Sequence, residues 1–154
     1  MLIASLLVDA NNIFCKDDSI TSKKRLIETI SDHLAASTKA LTANKIFQVL
    51  VERERLGTTG LGRGVAIPHA RVPGITRTIG TLMTLAEPID YEAADNEPVD
   101  IIFGLLVPDE GDDYHLQHLA RLAALFRDKD ICQAIREHDD PEKLFDFLLS
   151  IDDD

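Results

Sequence analysis

The chain has 154 residues, 16 of them Lys or Arg and 27 Asp or Glu, for a formal net charge of −11. That length encloses one hydrophobic core and is too short for two ordinary domains, and so large an acid excess argues against a nucleic-acid partner, whose phosphates it would repel. Hydrophobic residues at 45% and charged residues at 28% exclude general disorder, while two cysteines, Cys15 and Cys132, give neither a zinc-ligand spacing nor a disulfide framework.

The opening apolar run, Leu2 to Val8, lacks the basic flank and cleavage site of a signal peptide. No run approaches the roughly 18 apolar residues that span a bilayer. A cytoplasmic protein without membrane insertion is therefore expected. Over 22–37, Leu26, Ile30 and Leu34 recur four apart with Ile27 beside them, which predicts an amphipathic helix starting at Lys23-Lys24-Arg25. Thr42 is placed to cap a second helix running to about Leu56, with Ile46, Val49 and Leu50 on one side. Lys45 stands where the Glu of a capping box would be, so the box is incomplete.

From Gly57 the texture changes. Five of the eight glycines (Gly57, Gly60, Gly62, Gly64 and Gly74) fall within 57–74, a loop-rich stretch that needs unusual backbone angles. Inside it, 65–67 reads as a short buried strand, and 78–85 alternates well enough for another. The nearly continuous apolar run 99–107, bounded by Pro98 and Pro108, predicts a central strand covered on both faces. Leu116, Leu119, Leu122, Ala123 and Phe126 then form the stripe of a long helix starting near Asp112 and Asp113. A short helix is predicted around 131–137, and Pro141 enters the first turn of a last one with Leu144, Phe145 and Leu148 inward. Helices before, between and after strands give a single α/β domain over 1–154.

The chemistry concentrates between Glu52 and Arg77. Five arginines (Arg53, Arg55, Arg63, Arg71 and Arg77) against Glu52 and Glu54 give a local charge of +3. Glycines here let backbone N–H groups converge, and the hydroxyls of Thr58 and Thr59 can donate to oxygen, which describes a site for a small anion such as phosphate. The loop is neither a Walker loop, lacking the Gly-Lys-Ser/Thr ending, nor a dinucleotide fingerprint. The plain alternative is a glycine-rich surface turn solvated by its arginines.

His69 weighs against that alternative. It follows Pro68 at the exit of the predicted 65–67 strand, where α/β sheets display reactive groups. Its sequence neighbours Arg63 and Arg71 disfavour protonation, which leaves the imidazole neutral and nucleophilic. Further on, His115 falls in the first turn of the long helix, where a histidine can donate to a bound phosphate. His118 is placed with Arg121 on the exposed side. A zinc site from His69, His115 and His118 lacks an obvious further ligand, so no metal is expected.

The segment from Gly60 through Gly64-Val65-Ala66-Ile67-Pro68 to His69 resembles the phosphohistidine signature of the IIA components of the phosphoenolpyruvate-dependent phosphotransferase system, mannitol/fructose/nitrogen type. Leu105-Leu106-Val107-Pro108, followed by His115-Leu116 and Leu119-Ala120, resembles that family's second histidine region. The stretch 95–103 and the loop Gly57-Thr58-Thr59-Gly60 look most similar to the nitrogen regulatory branch, IIA-Ntr.

The resemblance implies a mixed sheet of about five strands flanked by helices. It implies that His69 accepts a phosphoryl group from an HPr-like phosphocarrier protein, with His115 as active-site partner and Arg53 as a source of positive charge. It also implies phosphate contacts from the loop, with Thr59, Gly62 and Arg63 as the expected set, and no cofactor. The branch points to regulatory target proteins downstream. The alternative is a sugar-specific IIA that passes phosphate to a IIB transporter domain.

Overall fold

The structure, a computed structural model, describes residues 2–109 and 113–152, with the side chains of 113–116 outside that description. It begins with helix α1 (Leu2–Leu7), a single 3-10 turn at Ala10–Asn12 and strand β1 (Ile13–Asp17). Helices α2 (Lys23–Ala35) and α3 (Ala43–Leu56) follow, then strands β2 (Gly60–Gly62), β3 (Val65–Ala66), β4 (His69–Val72), β5 (Ile79–Ile89) and β6 (Val99–Pro108). Helices α4 (Asp113–Leu125), α5 (Lys129–Glu137) and α6 (Pro141–Ile151) complete the described chain.

The helix starts follow from local chemistry. Ser22 and Thr42 accept from the N–H groups of Arg25 and Lys45 and so satisfy orphan donors of α2 and α3. Asp128 and Asp140 do the same for α5 and α6, and Pro141 occupies the first turn, where its missing N–H costs nothing.

The sheet is mixed. Its order is β1-β5-β6-β3-β2, and β4 also pairs with β6. β1 runs parallel to β5, while β5 is antiparallel to β6. β3 and β4 lie in succession along the same edge of β6, both parallel to it, and β2 folds back antiparallel on β3.

β6 is central and buried on both faces, as its unbroken apolar run predicts. Ile102 and Leu106 face a core made with Leu26, Ile30 and Leu34 of α2 and Ile46 and Leu50 of α3. Ile101, Phe103 and Leu105 face a second core made with α1, α4, α5 and α6, which contribute Leu6, Leu122, Ile135 and Leu148. Each fully buried Leu or Ile stabilises the fold by roughly 1.5–3 kcal/mol. Gly104 makes the first layer fit: a Cβ there would lie 2.6 Å from Cγ2 of Ile30.

The sheet has six strands rather than about five. β1 was not expected, because residues 13–17 lie in the N-terminal stretch that carries no long periodic pattern. β2 and β4 fall in the glycine-rich stretch read as loop, and the strand expected over 65–67 stops at Ala66. Among the described residues no helix is long and apolar enough to cross a membrane.

Candidate functional site

His69 sits at a break in the sheet edge. Ile67 sends its N–H to the carbonyl of Thr59 (3.0 Å), and Pro68 has no N–H to send. The edge therefore stops pairing after Ala66 and resumes when the Pro68 carbonyl accepts from Leu105 N–H (3.0 Å). His69 is thus the first residue of β4, opposite Leu105, rather than the last of the preceding strand.

The ring is fixed by one bond. Nδ1 of His69 lies 2.7 Å from the carbonyl oxygen of Ile67. A carbonyl can only accept, so Nδ1 carries the proton and Nε2 keeps its lone pair. Among the described residues no hydrogen bond engages Nε2. Burial of the half-exposed ring pushes its pKa below the ordinary 6.5. The Ile67 bond opposes that shift, Arg53 adds to it and Glu54 opposes it. The neutral, Nδ1-protonated imidazole is the form that burial and the Ile67 carbonyl favour near neutral pH.

The charges that act on the ring come from the end of α3 rather than from Arg63 and Arg71, the neighbours in sequence. Arg53 is held there by a bond from Nη1 to the carbonyl of Gly57 (2.8 Å), just past the helix end. Glu54 lies inward. Its carboxylate accepts from Thr59 N–H (3.1 Å), the Thr59 hydroxyl and the Tyr91 hydroxyl (3.1 Å), and pairs with Lys23 Nζ at 3.0 Å. Lys23 also lies 4.6 Å over the Tyr91 ring. Burial and the Glu54 charge push the Tyr91 phenol far up, so it stays a donor.

This buried knot ties α2, α3 and the loop before β2 into one wall. Lys23, Glu54 and Tyr91 were not among the expected site residues. For Glu54 a signal exists: Ile46, Leu50 and Glu54 recur four apart, so the carboxylate continues the buried stripe of α3. Tyr91, in the connection between β5 and β6, carries no such mark.

The remaining expected residues are placed as follows. Thr59 is buried, and its N–H and hydroxyl are both committed to Glu54, so it anchors the loop. Gly62 has a left-handed φ of +96°, and a Cβ there would meet an Asp95 oxygen at 2.9 Å, so it lets the Asp95 turn close on β2. Arg63 has other partners than His69: its N–H goes to Asp95 (2.9 Å) and its guanidinium to the carbonyl of Arg127 (3.2 Å). The side chain of His115, on the first turn of α4, lies outside the described residues. His118 is buried, not exposed. It stands four residues before Leu122 and eight before Phe126, so it shares their inward face, whereas Arg121 is exposed.

A histidine with one nitrogen tethered and the other open has the lone pair that a nitrogen nucleophile needs. Residues 6–151 match the family described as phosphoenolpyruvate-dependent sugar phosphotransferase system, EIIA 2. The chain belongs to that family.

Relatives of this IIA domain include the nitrogen regulatory protein of Bradyrhizobium diazoefficiens, 40% identical over 132 residues and 84% of each chain. That of Pseudomonas aeruginosa is 38% identical over 130 residues, again 84% of each. Among solved structures, the nitrogen regulatory protein IIA-Ntr of Neisseria meningitidis superposes with a TM-score of 0.88 at 36% identity, covering 96% of this chain and 99% of that one. The mannitol IIA of Escherichia coli, at 19% identity and a TM-score of 0.71 over 88% of this chain and 96% of its own, shares the fold.

Proposed function

We propose that this IIA domain carries a phosphoryl group on Nε2 of His69, received from the phosphohistidine of an HPr-like phosphocarrier protein, and signals by its phosphorylation state. The observation that carries the reading is the 2.7 Å bond from Nδ1–H to the Ile67 carbonyl, which directs the lone pair of the ring to Nε2. In the transfer, Nε2 attacks phosphorus in line as the P–N bond to the carrier's histidine breaks. The carrier's ring, protonated on its other nitrogen, keeps the released electron pair and leaves as neutral imidazole, and His69, keeping its Nδ1 proton, becomes the phosphoimidazolium. Phosphoryl transfer asks mainly for positioning and charge stabilisation. Arg53 supplies charge at the end of α3, and His115 is assigned a donor role from the first turn of α4. Thr59 and Gly62 shape the glycine-rich loop before β3, and the Glu54 knot holds that loop in place.

The cytoplasmic reading rests on partners of this kind. Phosphorylation adds about −1.5 to −2 charges at neutral pH, enough to change what a partner meets at this edge. The similarity to nitrogen regulatory proteins at 40% identity supports regulatory targets over a sugar-specific acceptor. Support for the sugar reading is weaker: the fructose-specific EIIA component of Haloferax volcanii is 29% identical over 84% of each chain.

Two assays separate these readings. Incubation with a phosphorylated HPr-like carrier tests acceptance, with an acid-labile label on His69 expected and absence of label in the folded chain contradicting it. Partner capture with the phosphorylated and unphosphorylated forms tests signalling. A partner that prefers one form several-fold, a coupling of about 1 kcal/mol or more, is expected. Identical partner sets together with efficient transfer to a IIB domain would establish the sugar reading instead.

A further inference from the structure

Far along the sheet from His69 lies a second cationic corner. Val65 pairs with Ile101 and His69 with Leu105, four residues later, which is about 13 Å of strand. At the Val65 end, three segments bring cations together: Arg63 from the turn before β3, Arg127 and Lys129 from the junction of α4 and α5, and Arg136 from α5. They surround a cavity of about 410 Å³ whose apolar wall is Phe126 and Cys132. Four cations converging in a chain of net charge −11 run against the overall charge.

The backbone holds Arg63 there under strain. Its φ is +59°, between Gly62 at +96° and Gly64 at +83°. A non-glycine residue in the left-handed region is disfavoured by the crowding of its Cβ against the backbone. Gly64 is needed for a different reason: a Cβ at that position would collide with the Arg136 guanidinium. Arg136 donates to both oxygens of Asp100 (2.9 and 3.0 Å) and to the Arg63 carbonyl (2.9 Å), while Arg63 donates to the Arg127 carbonyl (3.2 Å).

Two hydrogen-bonded carboxylates lie at the same corner. Asp100 is paired with Arg136, and Oδ1 of Asp128 accepts from the first N–H groups of α5 (2.9 and 3.2 Å). Arg63, Arg127 and Lys129 have no carboxylate within ion-pair distance among the described residues. Of the three, the Arg63 guanidinium is held in place, by its bond to the Arg127 carbonyl (3.2 Å), while Arg127 and Lys129 are exposed beside it.

We propose that this corner is an anion site separate from His69 that takes a diphosphate group, free or as part of a nucleotide. A single phosphate underfills a cavity of several hundred Å³, which is the size of small-molecule sites. Two linked phosphates span cations that come from different segments, and Arg forks suit their oxygens. The Phe126 wall leaves room for an apolar portion beside them.

Calorimetric titration of the purified, unphosphorylated chain with inorganic diphosphate and with ADP at low salt tests this. Saturable binding of at least one probe is expected, about tenfold or more weaker in Arg63→Gly and in Arg127→Ala, and unchanged in His69→Gln. Arg63→Gly relieves the backbone strain and Arg127 is exposed, so both variants are expected to fold. Tighter binding of ADP assigns the apolar wall to the nucleoside, and equal binding assigns the site to the diphosphate alone. Absence of saturable binding by either probe overturns the proposal, as does wild-type affinity in both arginine variants. Loss of binding in His69→Gln places the anion at the transfer site and overturns it too. None of these results depends on whether His69 carries phosphate.

Discussion

At the scale of single residues, the site turns on how two side chains of one helix end divide their work. Arg53 lowers the proton affinity of His69 and Glu54 raises it, from neighbouring positions on α3. Replacing Glu54 by Gln is therefore expected to move the His69 midpoint further down, and Arg53→Gln to move it up, in a proton NMR titration. Equal shifts of the same sign would contradict the assignment. Glu54→Gln also breaks the pair with Lys23, and loss of a partner for a buried hydrogen-bonding group costs about 1–3 kcal/mol, readable in denaturant unfolding. The linkage sign for His69 follows from its lowered pKa. The unfolded chain takes up the proton first as pH falls below 6.5, so the stability contributed by neutral His69 is present above that value and lost as pH falls through the lower folded value. Measured against His69→Gln, the wild type is expected to lose relative stability as pH falls below about 6.5. A difference that stays flat, or that grows on acidification, would refute a depressed pKa.

At the scale of elements, the arrangement depends on β6 being sandwiched and on β3 and β4 sharing its edge. Gly104→Ala would push a methyl into Ile30 of α2, and overpacking of this kind is expected to cost about 1–3 kcal/mol without changing which residues pair. A variant as stable as the wild type would show that α2 can withdraw from the sheet. The major helices were legible because their apolar residues repeat at helical spacing: α2, α3 and α6 start within a residue of Lys23, Thr42 and Pro141, where the sequence begins them. β6 was legible because a central strand needs no alternation. The short strands were not. β2 and β3 have three and two residues, and β4 has four, so their strand character comes from pairing with β6 and with each other. Periodicity has nothing to register over such lengths.

At the scale of the whole molecule, the sheet brings residues far apart in sequence to one edge while separating near neighbours. The strand boundary at His69 was legible from Pro68 and the glycines before it, and Arg53 came from the family resemblance, but the sequence neighbours Arg63 and Arg71 are not the charges that act on the ring. Arg63 is six residues away in sequence and bonds to Arg127, whereas Arg53, sixteen away, acts on the ring. The turn through Gly62-Arg63-Gly64 makes the difference, since its left-handed run reverses the chain between β2 and β3. His118 shows the same limit in a helix, where polarity suggested the surface and the shared face with Leu122 and Phe126 decides for the core. The central claim, that the domain carries phosphate on His69, is tested most directly by transfer from a phosphorylated HPr-like carrier to the wild type and to His69→Gln, with the labelled position mapped by peptide analysis. The account predicts an acid-labile label on His69 in the wild type and none in a His69→Gln variant that keeps its circular dichroism. Stable label on His115, or undiminished labelling of His69→Gln, would contradict it.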